Sequence, residues 1–218
     1  MRINRYVADA TSLSRRKADE LIKSGQVKVN NKTATNGQDI SLDQLVTLGN
    51  KKLTIESKQL TILFNKPVGY VVSRRGQGSK TIYSLLPKEY LKLNPIGRLD
   101  KDSSGLLILS SDGQLIQRLS HPRYGKQKTY RIDLDKPLSP EDKLHVEKGV
   151  KLSDGLSKLN IIKVDSNKLT LTITEGRNRQ IRRTFEALGY RVVNLNRIAM
   201  GKYRLNSLGI GEYITIND

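Results

Sequence analysis

The chain has 218 residues, with 39 Lys and Arg against 21 Asp and Glu, a formal net charge of +18. It contains no Cys, which excludes disulfides, Cys-based zinc sites, iron–sulfur clusters and a thiolate nucleophile. The cationic excess fits a polyanionic partner. No run of about eighteen apolar residues exists to span a bilayer, and no apolar stretch follows the basic N-terminus as a secretory leader would. The expected setting is therefore the cytoplasm, where the polyanion is nucleic acid.

Two compact units of about 100–150 residues or less are expected from the length. Ile3, Val7 and Ala10 recur on one face of a first helix. Ser14 is placed to cap a second helix with an apolar face of Ala18, Leu21 and Ile22, closed by Gly25. Val27-Lys28-Val29 then alternates as a strand, with Asn30-Asn31 as its turn. Arg15, Arg16 and Lys17 fall in the first turn of the second helix, where backbone amides already attract phosphate. With the Gly-x-Val-x-Val-Asn strand, this order over residues 1–48 resembles the small RNA-binding domain of the ribosomal-protein S4 type. Residues 49–59 read as a polar linker or edge strand around Leu53-Thr54-Ile55, and residues 60–218 as a second unit.

In that second unit, strands are expected over 60–64, 70–72, 106–109, 129–134 and 168–174, and helices over 114–119, 140–148 and 179–188. Strands and helices do not alternate strictly, so the expected class is α+β around a largely antiparallel mixed sheet. Gly78-Ser79-Lys80-Thr81 lacks the glycine spacing of a phosphate-binding loop. His121 and His145 read as ordinary surface residues, and no metal site is expected from them.

The stretch Gly97-Arg98-Leu99-Asp100-Lys101-Asp102-Ser103-Ser104-Gly105 is a charged loop feeding the apolar strand at 106–109, which ends in Asp112-Gly113. A polar loop held by a rigid core strand is a good place for functional side chains. By that reasoning alone Asp100 is one of several turn carboxylates. The stretch closely resembles the Gly-Arg-Leu-Asp signature of the RsuA/RluB-type pseudouridine synthases. Asn65-Lys66-Pro67-Val68-Gly69 resembles that family's first motif. The run from Glu175-Gly176-Arg177 to Ile181-Arg182-Arg183, continued by Leu195-Asn196-Arg197, resembles its third.

The resemblance implies that Asp100 is the catalytic carboxylate, that Arg182 pairs with it, and that Tyr130 of Lys128-Thr129-Tyr130 contacts the target base. It further implies that Leu195 supplies an apolar wall, that Arg98 fills the space vacated by a flipped nucleotide, and that the 65–69 segment supports the site. Lys128, Arg179, Gln180 and Arg183 are assigned to substrate binding, and Asp102 is read as a turn residue. Helix geometry agrees in part: Ile181, Phe185 and Leu188 form a buried face, Arg183 projects opposite, and Gln180 and Arg182 flank it. The sequence departs from the family at Ser103-Ser104, where a Thr is common, and at Thr184, where Met is usual.

The implied reaction is isomerisation of a uridine, flipped out of its stack, without cofactor or metal. Asp100 would either attack the sugar or remove a proton from ribose carbon two; both routes stay open. The expected partner is ribosomal RNA or a ribosomal-subunit assembly intermediate, bound by a monomer. The alternative is a non-catalytic RNA-binding ribosome-assembly factor. An RNA methyltransferase would need a glycine-rich donor loop after a strand, which the chain lacks.

Overall fold

A computed structural model describes residues 1–11, 13–55 and 59–216. The chain forms two compact units, Met1–Gln59 and Leu60–Asp218.

The first unit packs α1 (Ile3–Thr11) and α2 (Arg15–Lys23) with strands β1 (Val27–Val29), β2 (Lys32–Thr33), β3 (Val46–Leu48) and β4 (Lys51–Leu53). The sheet is antiparallel in the order β2-β1-β3-β4. Ser14 caps α2, its Oγ accepting from the Lys17 amide at 3.2 Å, which satisfies one of the four amides a helix start leaves open. Ile3, Val7, Ala18, Ile22, Val27 and Val46 share one apolar cluster. The strand expected around residues 53–55 ends at Leu53, and residues 56–58 of the expected linker lie outside the described residues.

The second unit runs β5 (Thr61–Lys66), β6 (Asn94–Pro95), β7 (Ser104–Ser110), α3 (Gly113–Ser120), β8 (Lys128–Leu134), α4 (Pro140–Lys148), β9 (Val150–Leu152), β10 (Gly155–Ser157), β11 (Asn160–Asp165), β12 (Lys168–Ile173), α5 (Gln180–Glu186), β13 (Val192–Met200), β14 (Tyr203–Arg204) and β15 (Tyr213–Ile216). A nine-stranded sheet follows the order β11-β12-β8-β13-β7-β5-β15, with β14 on β13 and β6 on β7; β9 and β10 pair separately. Every pairing in the large sheet is antiparallel except β13 with β7. The class is α+β with a mixed, mostly antiparallel sheet.

Both faces of the sheet's centre are covered. Ile62, Phe64, Leu107 and Leu109 join one apolar cluster, while Leu63, Leu106 and Ile108 join another. Successive strand residues point to opposite faces, so burial on both sides explains why β5 and β7 read as continuous apolar runs.

The structure departs from expectation in several places. Residues 70–72 form no strand. The Val71 amide donates to the Lys80 carbonyl at 2.9 Å and its carbonyl accepts from Ile82 at 3.1 Å, an isolated bridge to Thr81 that closes the intervening loop. The α5 helix is shorter than expected, because Arg179 at φ 46° breaks it at the start and Gly189 at φ 78° turns the chain back. Seven strands of this unit, β6, β9, β10, β11, β13, β14 and β15, lie outside the expected set; in β13 the alternation of apolar and polar residues breaks at the exposed Val193-Asn194 pair and at the buried Arg197.

Candidate active site

The parallel pairing of β13 with β7 matches Asn196 to Ser104 and Arg197 to Gly105. Gly105 has φ +104°, and a Cβ there would stand 2.3 Å from the Arg197 carbonyl oxygen, a separation no side chain tolerates. Glycine is thus required where the loop bearing Asp100 enters β7. Asn196 Nδ2 donates to Ser104 Oγ at 2.9 Å beside it.

From the other side the loop is gripped by Lys66, at the end of β5. Lys66 is fully buried, and its ammonium donates to the carbonyls of Pro67, Asp100 and Ser103 at 2.9, 3.0 and 2.7 Å. The Gly69 amide adds a bond to the Lys101 carbonyl at 2.7 Å. Burial lowers the Lys66 ammonium to about 8, against the upward pull of Asp100 and Asp102 and with a further push down from Arg197. The first motif therefore acts as a clamp on the backbone of the Asp100 loop.

A cleft of about 550 Å³ opens over this loop, within the range of ligand sites. Its walls include Arg98, Asp100, Lys128, Tyr130, Leu195 and Arg197. Tyr130, on β8, pairs with Arg197 on β13 and Leu171 on β12. Strand pairing thus brings the aromatic ring and the apolar Leu195 wall to the same cleft as Asp100. Among the described residues the Asp100 carboxylate makes no ion pair.

Lys128 donates to the Glu175 carbonyl at 3.1 Å. Burial, then the neighbouring Arg197 charge, lowers its ammonium; Glu175 partly offsets this. Arg197 is 1% exposed, and its Nε donates to the Leu106 carbonyl at 2.8 Å.

The third motif is distributed differently from the sequence reading. Arg179 and Gln180 line the cleft, whereas Arg182 and Arg183 are not among its walls. Arg183 bonds Asp154 at 2.7 Å and the Asn178 carbonyl at 2.9 Å. Gln180 is buried: its amide donates to Ser157 and Glu175 and accepts from the Arg177 amide. It braces the loop before α5, and its donors are spent within the protein.

Arg182 does not form the expected pair with Asp100. Its Nε lies 3.3 Å from the Asp102 carboxylate, and its two terminal nitrogens donate to the carbonyls of Asp102 and Val192 at 2.8 and 2.6 Å. Burial lowers the guanidinium from its ordinary value; Asp102 and, less strongly, Asp100 pull it back up, while Arg179 opposes them. Asp102 is consequently more than a turn residue. His121, read as plain surface, is exposed but stands among the cleft walls. The reading also gave Arg197 no role, although a lone Arg amid the apolar residues of 192–200 is a visible signal. Arg15, Arg16 and Lys17 are exposed in the first unit at the start of α2.

Residues 60–187 match the family described as RNA pseudouridylate synthase, and residues 1–46 match the S4 domain. The chain is 37% identical to the ribosomal large subunit pseudouridine synthase B of Bacillus subtilis, an alignment spanning 97% of this chain and 90% of that relative. It is 31% identical to the ribosomal small subunit pseudouridine synthase A of Vibrio vulnificus, over 98% of this chain and 94% of the other. A crystal structure of a pseudouridylate synthase superposes with a TM-score of 0.70 at 30% identity, covering 100% of this chain and 96% of that one. The charged loop, its lysine clamp and the cleft above it thus sit in a chain that belongs to the RsuA/RluB-type pseudouridine synthase family, with an S4 domain at its N-terminal end.

Proposed function

We propose that this enzyme isomerises a uridine of ribosomal RNA, with Asp100 as the catalytic residue. The observation that carries the reading is the Asp100 carboxylate, free of ion pairs among the described residues and set in one cleft with Tyr130 and Leu195. A paired or stacked uridine must leave its helix before its glycosidic bond can be reached. The flipped base meets Tyr130 as an aromatic partner, with Leu195 as its apolar wall, and Arg98 fills the gap left in the RNA. Asp100 then promotes glycosidic cleavage, by attack on the sugar or by taking the proton on ribose carbon two. The uracil turns within the cleft and rejoins through ring carbon five, which then gives up its proton while N1, freed of the sugar, gains one, so that the net reaction is an isomerisation. Arg182 supplies positive charge that favours the ionised form of a nearby carboxylate.

The accessible cationic groups at the cleft, Arg179 and the half-buried Lys128 among them, suit the phosphates of the strand on either side, and Arg15, Arg16 and Lys17 suit a further segment of the same RNA. Incubating the protein with ribosomal RNA fragments and mapping pseudouridine at nucleotide resolution tests the function. One modified uridine is expected, and none in any ribosomal fragment or subunit would defeat the proposal. The logarithm of the affinity for such a fragment should fall linearly with the logarithm of salt. With about six phosphates neutralised, the loss between 50 and 200 mM salt is about a thousand-fold. A salt-insensitive affinity would contradict the phosphate contacts.

A further inference from the structure

Most cationic groups around the cleft are tied within the protein. Lys66 spends its three N–H groups on the carbonyls of Pro67, Asp100 and Ser103. Arg177 is engaged by Asp154, Glu175 and the Leu156 carbonyl. Arg179 reaches Asp102, and Arg197 is buried with its Nε on the Leu106 carbonyl. Lys128 differs from all of these. It is half-buried, and its ammonium makes one hydrogen bond, to the Glu175 carbonyl at 3.1 Å. Two of its three N–H groups are therefore without a partner among the described residues. Lys128 lines the same cleft as Asp100, and on β8 it stands two residues before Tyr130, so both side chains leave one face of the strand. Arg98 is exposed, and Lys126 lies before β8, off the strand that carries Tyr130.

Isomerisation of a uridine has a use for such a cation. When the C1′–N1 bond breaks, its electron pair leaves with the ring and spreads from N1 onto O2 and O4. The sugar carbon takes a replacement pair from an Asp100 oxygen, or from the C2′–H bond as Asp100 accepts that proton. The ring then turns about the axis through N3 and C6, which exchanges N1 with C5 and O2 with O4. C5 supplies the pair of the new C1′–C5 bond while Asp100 leaves with its own pair or returns its proton; C5 loses a proton and N1 gains one. A donor fixed beside O2 at the first step is thus beside O4 at the last. We propose that Lys128 is a catalytic residue whose two open N–H groups hold the uracil oxygen flanking the glycosidic bond and take up the charge the ring gains as it leaves the sugar. The inference rests on the reading of Asp100 as the group that cleaves that bond, and it goes beyond attraction of RNA phosphates. Burial and the Arg197 charge already disfavour the Lys128 ammonium, and a neutral carbonyl relieves this less than a charged one. The contact is strongest as charge develops, which is the condition for speeding the step rather than only tightening binding.

The test varies the leaving group. Fluorine at ring carbon five withdraws electrons and makes the departing ring a weaker base, so that it needs less help from a cation. Ribosomal RNA fragments carry uridine or 5-fluorouridine at the modified position, and single-turnover consumption of that nucleotide is followed with wild type, Lys128→Met, Lys128→Gln and Lys128→Arg. RNA dissociation constants and thermal melting are measured beside the rates, and two neutral variants are used so that one poor folder does not decide the outcome. For a folded neutral variant the expected loss is about a hundred-fold on uridine and about ten-fold or less on 5-fluorouridine, with affinity within about five-fold. Lys128→Arg, which keeps the charge, should recover at least about ten-fold of the uridine rate. A structural role would slow both substrates alike. Equal losses on the two substrates, or a wild-type rate in a folded neutral variant, would overturn the proposal while leaving the Asp100 reading intact. A wild-type protein that forms no pseudouridine would overturn that reading and the proposal together.

Discussion

Asp100→Asn is expected to abolish pseudouridine formation, by at least about a thousand-fold, while RNA affinity stays within about three-fold of wild type. The amide matches the carboxylate in size but is neither a base nor a nucleophile at neutral pH. The fold should not suffer. Lys66 grips the Asp100 carbonyl rather than its side chain, and the side chain makes no ion pair among the described residues. Melting within about 2 °C of wild type is therefore expected, less than 1 kcal/mol for a chain of this size. The companion variant Asp102→Asn separates the two carboxylates, since it should keep a measurable part of the rate. If folded Asp100→Asn stays active, or Asp102→Asn is the variant with no activity, the catalytic assignment is wrong.

Lys66→Met should produce the largest loss of stability. Methionine replaces the aliphatic stem but leaves the Pro67, Asp100 and Ser103 carbonyls without their donor. Each orphaned acceptor costs about 1–3 kcal/mol, partly offset because a buried charge no longer has to be desolvated. The net expectation is about 3 kcal/mol, or a melting point lower by roughly 6–12 °C, together with a slower reaction from a loosened Asp100 loop. The pH dependence carries its own sign. The ammonium titrates near 8 in the folded chain against 10.5 for a free lysine. Between those values the unfolded chain binds more protons, so Lys66 adds stability as pH rises through that window and loses it as pH falls back through about 8. The Lys66→Met deficit, followed by chemical denaturation, should widen from pH 7 to pH 9.5. A deficit that narrows would mean the amine stays charged throughout.

Much of this was legible in the residues, for identifiable reasons. The cap at Ser14 and the Ile181–Phe185 face are short-range patterns, set by residues within a turn or two of one another. The α4 helix over 140–148 likewise carries its own signals, Ser139 before it and Gly149 after. Support by the 65–69 segment was implied by the family resemblance alone, since two of the three carbonyls that Lys66 holds lie on a loop more than thirty residues away. What could not be read was distance between non-local groups. Asp100 and Asp102 are two residues apart on one turn, and nothing in spacing decides which of them meets a guanidinium some eighty residues later. The β13 strand escaped for a related reason: it is paired on both sides, and its buried Arg197 is satisfied by the Leu106 carbonyl of a strand 91 positions earlier.

The parallel match of β13 with β7 also bears on when the cleft comes into being. Asn196 and Ser104 are separated by 92 positions, and closing a long loop costs entropy before any contact made across it gives a return. Pairings of that kind form slowly. During synthesis, β5, β7 and the Asp100 loop emerge well before the strand that completes the Tyr130 and Leu195 walls. The nascent chain therefore holds its lysine clamp and carboxylate with no cleft to use them in, and folding itself delays the activity until the segment through Met200 has left the ribosome.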